Sequence, residues 1–270
     1  MRNFFSVILL TSLLSQNLIS DSFIHNSFNN HGVIGLINTP SARFYNEASF
    51  GITFYDGTPD QKITLTSSPY NWMEASFFYT NIENKPYCGV SFDPVCQQDY
   101  KDKGFNFKFR VKEEDELPAI AIGINDIAGT GYYSSEYIVG SYGINKTDFH
   151  FGIGWGVLNG SKNSFKNPLG YIYDGFYQRP KGFEDKGGQF QPGRYFSGKT
   201  ASPFFGIAHA VNDKFTVKLE YDTTLTTGDI DYPEAKKSFS YGLNFNINKN
   251  LTIGFASERG SYNSFTFTYK

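Results

Sequence analysis

The chain has 270 residues, with 28 Phe, 19 Tyr and 2 Trp against only 2 Cys and 2 Met, and a formal net charge of -2. That charge excludes a strongly basic nucleic-acid binder, and the aromatic load excludes an intrinsically disordered chain. Beyond residue 20 no apolar run approaches the roughly 18 residues of a spanning helix, so a helical membrane protein is excluded too.

Residues 1–20 have Arg2 close to the amino terminus, an apolar stretch from Phe4 to Leu14, and then small polar residues. This is the layout of a secretory signal peptide, too short to span a membrane. No cysteine stands near the expected cleavage site, so no lipid attachment is expected there. Residues 21–47 form a pre-barrel segment without clear periodicity, in which His25 and His31 stand with no acidic or Cys partner.

From residue 48 the chain alternates apolar and polar residues in about twelve segments: 48–55, 62–67, 73–80, 103–112, 118–126, 136–145, 147–155, 202–210, 213–222, 236–247, 250–258 and 263–269. In one of them Phe105, Phe107, Phe109 and Val111 interleave with Asn106, Lys108, Arg110 and Lys112; in another Phe215, Val217, Leu219 and Tyr221 interleave with Thr216, Lys218, Glu220 and Asp222. Successive side chains of a strand face opposite ways, so each segment has one apolar and one polar wall.

The connections are asymmetric. Short turns such as 145–147, 212–213 and 248–250 alternate with longer connections at 81–102, 127–135, 156–201 and 223–235. Outer-membrane barrels carry short periplasmic turns and long extracellular loops. Nine strand residues tilted by about 40° rise roughly 23 Å, which matches the apolar band of such a barrel. Tyr55, Trp72, Tyr79, Trp155, Tyr221, Tyr241 and Tyr269 lie near strand ends, where aromatic girdles are expected. The last strand, with Phe265, Phe267 and Tyr269, has the aromatic pattern by which barrel-assembly machinery selects its clients, and Lys270 follows it. The fold expected is all-β: an antiparallel transmembrane barrel of about twelve strands, residues 48–270, in the outer membrane of a Gram-negative bacterium.

Three stretches add a family resemblance. Gly35-Leu36-Ile37-Asn38-Thr39-Pro40-Ser41-Ala42-Arg43 comes first, then Gly123-Ile124-Asn125-Asp126-Ile127-Ala128-Gly129-Thr130-Gly131 with Ser134-Ser135-Glu136-Tyr137. Gly154-Trp155-Gly156 followed by Ser202-Pro203-Phe204-Phe205-Gly206 completes the set. In this order they resemble the YjbH/GfcD family of outer-membrane exopolysaccharide proteins, over about residues 32–269. The resemblance implies a barrel tied to production or export of extracellular polysaccharide. Larger members carry a second barrel-like half, and some are lipoproteins; neither feature is expected here.

Cys88 and Cys96, in an exported chain, are read as one disulfide within the loop 81–102. Glu74, Lys108, Arg110, Lys218 and Glu220 occupy the polar phase of their strands and are expected to face the lumen, either bracing one another or lining a conduit for anionic glycan. His150 alternates with Phe149 and Phe151 and should also face inward. The turn Gly129-Thr130-Gly131 lacks the helix and Lys-Ser/Thr pair of a phosphate-binding loop. The loop 156–201 has seven basic and three acidic side chains and many aromatics; it could plug the barrel, cover its mouth, stack on sugars or pack against itself.

No Gly-x-Ser-x-Gly elbow is present, and no enzymatic activity, metal or cofactor is expected. The function expected is a non-enzymatic barrel in exopolysaccharide or capsule production or export. The alternatives are a small porin-like channel, or a structural or adhesive barrel acting through its surface loops. The partners expected are outer-membrane lipid, the assembly machinery, anionic polysaccharide and polysaccharide-export proteins.

Overall fold

A computed structural model describes residues 26–58, 60–86, 98–180, 187–188, 190–225 and 236–270. The signal-peptide reading of residues 1–20, His25, and the Cys88–Cys96 pair lie outside the described residues.

A short hairpin, β1 (Ser27–Phe28) and β2 (Ile34–Gly35), precedes the wall. The first half of the wall is β3 (Ser49–Asp56), β4 (Asp60–Tyr70), β5 (Met73–Pro86), β6 (Asp99–Lys112), β7 (Ala119–Ile127), β8 (Ser135–Ile144) and β9 (Thr147–Gly156). A two-residue strand, β10 (Phe165–Lys166), lies in the long connection and pairs with the start of the next wall strand. The second half is β11 (Thr200–Ala210), β12 (Phe215–Tyr221), β13 (Phe239–Asn246), β14 (Leu251–Glu258) and β15 (Tyr262–Tyr269).

Each wall strand pairs antiparallel with its sequence neighbour, β9 pairs directly with β11, and β15 returns to β3 with Phe267 opposite Phe54. The sheet is therefore a closed barrel of twelve strands, and closure removes the unpaired edges that a lipid environment would penalise. The twelve alternating segments read from the sequence correspond to these strands. The largest boundary differences are at β4, β5 and β6. Ser68, Pro69 and Tyr70, which lie beyond the expected segment 62–67 and look like turn residues, instead extend β4 through a register shift, and β5 and β6 run on past the apolar band.

The wall is apolar outside and largely polar inside, with inward apolar patches around Ala121, Tyr137, Val139 and Phe204 and around Phe78 and Ile82. Phe54, Leu65, Phe105, Phe151, Leu219 and Phe255 are exposed on the outer face. Thr53, Thr64, Thr66, Ser76, Asn106, Ser141 and Thr216 are buried on the inner one. A water-soluble sandwich would reverse this pattern. Cross-strand aromatic pairs such as Phe77–Phe105 at 5.4 Å, Phe255–Phe265 at 5.2 Å and Phe215–Phe245 at 4.9 Å tile the outer face and add to its stability.

Of the expected girdle residues, Trp72, Tyr79, Tyr241 and Tyr269 are exposed on that face, with Tyr70 stacked on Trp72. Tyr55, Trp155 and Tyr221 are buried and require correction. Tyr55 turns inward, and its hydroxyl donates to Glu258 at 2.9 Å. Trp155 lies under Phe196, and Tyr221 stacks on Phe205 with its hydroxyl against Ser161. In both of these cases the connection between β9 and β11 covers a ring that strand phase alone would leave to lipid.

That connection follows a course the sequence left open. Arg179 pairs with buried Glu136 on β8 at 2.7 Å, and Asn167 donates to the carbonyls of Phe176, Phe196 and Gly198. Glu136 lies in the outward phase of β8, opposite Trp155. The stretch from Asn167 to Arg179 thus packs against the outer side of the barrel at its long-loop end, while Leu158 at the start of the connection turns inward beside Tyr137 and Gly154. The rest of the lumen is filled by another part of the chain.

Candidate functional site: a lumen filled by the chain's own N-terminal segment

Residues 27–42 are all buried except Ile37, although only four of them are in strands. Irregular segments normally run over a surface because their amide and carbonyl groups need partners. Here the partners are the inward-facing ionisable side chains of the barrel.

Glu220 on β12 is the clearest case. Its carboxylate accepts the backbone N–H groups of Ile37 at 3.1 Å, Asn38 at 2.9 Å and Thr39 at 3.1 Å, and the Thr39 hydroxyl at 2.7 Å. Three successive amides converge on one anion, and charge-assisted hydrogen bonds of this kind are stronger than neutral ones. One register position away, Lys218 donates to the Leu36 carbonyl at 2.7 Å, the Gly35 carbonyl at 3.3 Å and the Ser27 hydroxyl at 2.5 Å. The basic group holds carbonyls and the acidic group holds amides.

Glu74 and Lys108 face each other across β5 and β6 and form a fully buried ion pair at 2.6 Å. Glu74 accepts the amides of Ile34 at 3.1 Å and Tyr45 at 2.8 Å. Lys108 donates to the carbonyls of Ile34 at 3.1 Å and Arg43 at 2.5 Å. An isolated buried pair is costly to desolvate, and these extra bonds to the segment satisfy the remaining valences of both groups. Arg110 sits nearer the short-turn end, partly exposed, beside Glu113 and over the Phe44 ring.

The segment is held at several further points. The Asn38 amide donates to Asp222 at 2.8 Å and Glu258 at 2.6 Å. The carbonyl of His31 accepts from Ser76 at 2.9 Å and Asn106 at 2.6 Å. Arg43 grips Asp148 with two bonds, at 2.8 and 2.6 Å, and also reaches Glu114. Near the short-turn end the carbonyl of Asn26 accepts from Lys270, which lies beside the Tyr45 ring. The segment enters and leaves through that end.

Apolar side chains of the segment sit against inward-facing glycines. A Cβ on Gly51 would lie 2.3 Å from the Phe28 ring, one on Gly206 2.2 Å from Leu36, and one on Gly242 3.2 Å from Ile37. These glycines leave the room that the segment occupies. Among the described residues, two voids beside the segment measure about 30 Å³, next to Asn30, Lys62 and Arg259, and about 20 Å³, next to Phe28 and Lys218. Each is about the size of one water molecule.

Two histidines, His31 and His150, are part of this packing, while His209 is exposed. His31 is buried within the segment, and burial together with nearby Lys62 lowers its pKa from the ordinary 6.5 to about 3. His150 on β9 lies 2.8 Å from the Ser141 hydroxyl and 3.7 Å from Asp148, a Ser-His-Asp grouping absent from the sequence reading. The grouping is engaged by the segment: Ser141 accepts the amide of Ala42 at 2.8 Å, and both Asp148 oxygens are held by Arg43.

The Gly123–Gly131 stretch also has a defined role. Asp126 breaks the β7 register at positive φ, donates its amide to Asn106 at 2.9 Å, and accepts the Tyr133 amide at 3.1 Å. A bulge of this kind bends the strand end.

Gly35 to Arg43, held by Lys218, Glu220, Lys108 and Asp148, are the first of the three signature stretches. The sequence profile described as "Exopolysaccharide biosynthesis protein YbjH" matches residues 27–270. The chain belongs to the YjbH family. The matched range begins at the filling segment, so the family's characteristic sequence covers both segment and wall. The "Uncharacterized lipoprotein YjbH" of Escherichia coli (strain K12) is 31% identical over 239 residues, covering 87% of this chain. Those residues are 33% of the relative, so the chain spans about a third of its length.

Solved structures similar to this YjbH-family chain include the NanC porin, with 10% identity, TM-score 0.41, and coverage of 82% of this chain and 100% of that one. The KdgM porin has 10% identity and TM-score 0.43, with coverage of 82% and 98%. Omp33 of Acinetobacter baumannii has 8% identity and TM-score 0.39, with coverage of 82% and 96%.

Proposed function

We propose that this YjbH-family protein is a non-enzymatic barrel of the Gram-negative outer membrane that serves exopolysaccharide production or export, with its lumen closed at rest by residues 26–48. Family membership supports the link to exopolysaccharide, and the apolar outer wall supports the membrane setting. One observation carries the resting state: the inward-facing Glu74, Lys108, Lys218 and Glu220 are bonded to the segment's own backbone. A permanently open porin would leave such groups to water. In this reading the short-turn end and both chain ends face the periplasm, residues 1–20 direct export, and the terminal strand with Phe265, Phe267 and Tyr269 is presented to the assembly machinery.

Deleting the gene and quantifying extracellular polysaccharide tests the role. The expected result is a reduced or altered yield, restored by the wild-type chain; unchanged output would count against the reading.

A further inference from the structure

Outside the lumen, the described surface with the most chemistry left over is on the connection between β9 and β11. Tyr171, Ile172 and Tyr173 are 73%, 80% and 69% exposed, far more than packing residues. Their positions are nevertheless fixed. The Tyr177 ring lies over Gly170, where a Cβ would come within 2.1 Å, and the Tyr173 ring lies over Gly175, where a Cβ would come within 2.2 Å. Tyr171 meets Tyr177 edge-on at 6.5 Å, and Tyr173 meets Phe176 in the same way at 6.2 Å. The Lys166 ammonium rests over both Tyr171 and Tyr177, at 4.9 and 4.6 Å. Beneath them, buried Asn167 ties the turn together through three carbonyls, and Arg179 anchors it to Glu136. Rigid, exposed rings lose little conformational entropy when a ligand stacks on them.

Charge narrows the ligand. Residues 156–201 carry seven basic and three acidic side chains, a net excess of four positive charges in a chain whose total is -2. Two of those basic groups, Arg179 and Arg194, are used within the fold. Among the described residues Lys162, Lys166 and Lys199 form no ion pair, and they lie on the same connection as the rings. Flat aromatic faces suit the C–H faces of sugar rings, and lysines suit carboxylates. Insertion into hydrocarbon is a poorer match, because exposed Asp174 lies between Tyr173 and Gly175 and would have to be desolvated.

We infer that Lys166, Tyr171, Ile172 and Tyr173 form a docking platform for an acidic polysaccharide chain. This deepens the proposed role in exopolysaccharide handling and rests on it.

The test is a titration of the full chain in lipid nanodiscs with an end-labelled polyuronate oligosaccharide, beside a neutral dextran of equal length. The expected result is salt-sensitive binding of the polyuronate over dextran. The double variant Tyr171→Ala/Tyr173→Ala should weaken it by about tenfold, and Lys166→Gln should reduce the preference for the acidic chain. Gly175→Val, which displaces the Tyr173 ring without removing it, should weaken binding in the same direction. Absence of polyuronate binding by the wild type, equal binding by the variants, or an effect of the variants confined to lipid insertion would overturn the inference. Complementing a deletion strain with the double variant keeps the two readings apart. A strain that loses polysaccharide on deletion, but is fully restored by a double variant with unchanged binding, refutes the platform alone. A strain unaffected by deletion refutes the wider role.

Discussion

Glu220 and Asn38 are separated by 182 positions in the chain, yet the carboxylate of one accepts the backbone amide of the other at 2.9 Å, in the middle of the barrel. The same carboxylate holds the amides on either side of Asn38. Glu220→Ala removes the acceptor for four donors at once, three backbone amides and the Thr39 hydroxyl, and leaves Lys218 without its neighbouring anion. Leaving buried polar groups unpaired makes the expected loss about 3 kcal/mol or more. Hydrogen exchange should locate it, with the amides of Ile37, Asn38 and Thr39 exchanging faster while those of the wall strands remain protected.

A second expectation concerns the fit between segment and wall. Gly51→Ala would press a methyl group against the Phe28 ring, and overpacking of this kind costs about 1–3 kcal/mol. If the two side chains truly meet, Phe28→Ala in the same molecule should recover part of that loss. A double-mutant cycle in chemical denaturation measures the coupling. Strictly additive effects would mean that Phe28 does not occupy this site.

How much of this was legible in the sequence depends on the physics involved. The wall was legible because period two is a local signal: Phe105 to Val111 alternate with Asn106 to Lys112 wherever the chain closes. The same phase puts Glu74, Lys108, Lys218 and Glu220 on the polar side of their strands. What those charges hold did not follow, because residues 26–48 have no period of their own and owe their shape to groups far away in sequence. The one available hint was composition. Asn29, Asn30, Asn38 and Gly35 are poor strand formers, yet they precede a strongly patterned barrel without any spacer of charged, linker-like residues. Trp155 and Tyr221 were misassigned to the girdle for a related reason: the connection that covers them reaches the wall through tertiary contacts alone.

Acidification should loosen the filling segment. His31, outside the wall strands, is held neutral in the lumen with its pKa near 3, first by burial and then by Lys62. In the unfolded chain the ring protonates near its ordinary value, so its contribution is fully present above about pH 6.5 and is lost progressively as the pH falls toward 3. At pH 5 the loss is about 2 kcal/mol for this group. Comparing segment protection by hydrogen exchange at pH 7 and pH 5 checks it, and His31→Gln should flatten the difference. A segment equally protected at both pH values in the wild type would argue against a neutral buried ring.

The outer wall can be tested separately. Phe54 faces outward on β3 within the apolar band, opposite Phe267. An arginine on the lipid face of a barrel near the bilayer midplane costs about 2–4 kcal/mol. Phe54→Arg should therefore lower the folding free energy into phospholipid vesicles by about that amount. A change below about 0.5 kcal/mol, usual for surface substitutions in water-soluble proteins, would contradict a lipid-facing wall.

Planar-bilayer conductance addresses the closed lumen most directly. The intact chain should insert without a steady ohmic current, and a variant lacking residues 26–46, refolded to the same strand content, should open a stable channel. An intact chain that conducts as well as the truncated one would contradict the closed resting state.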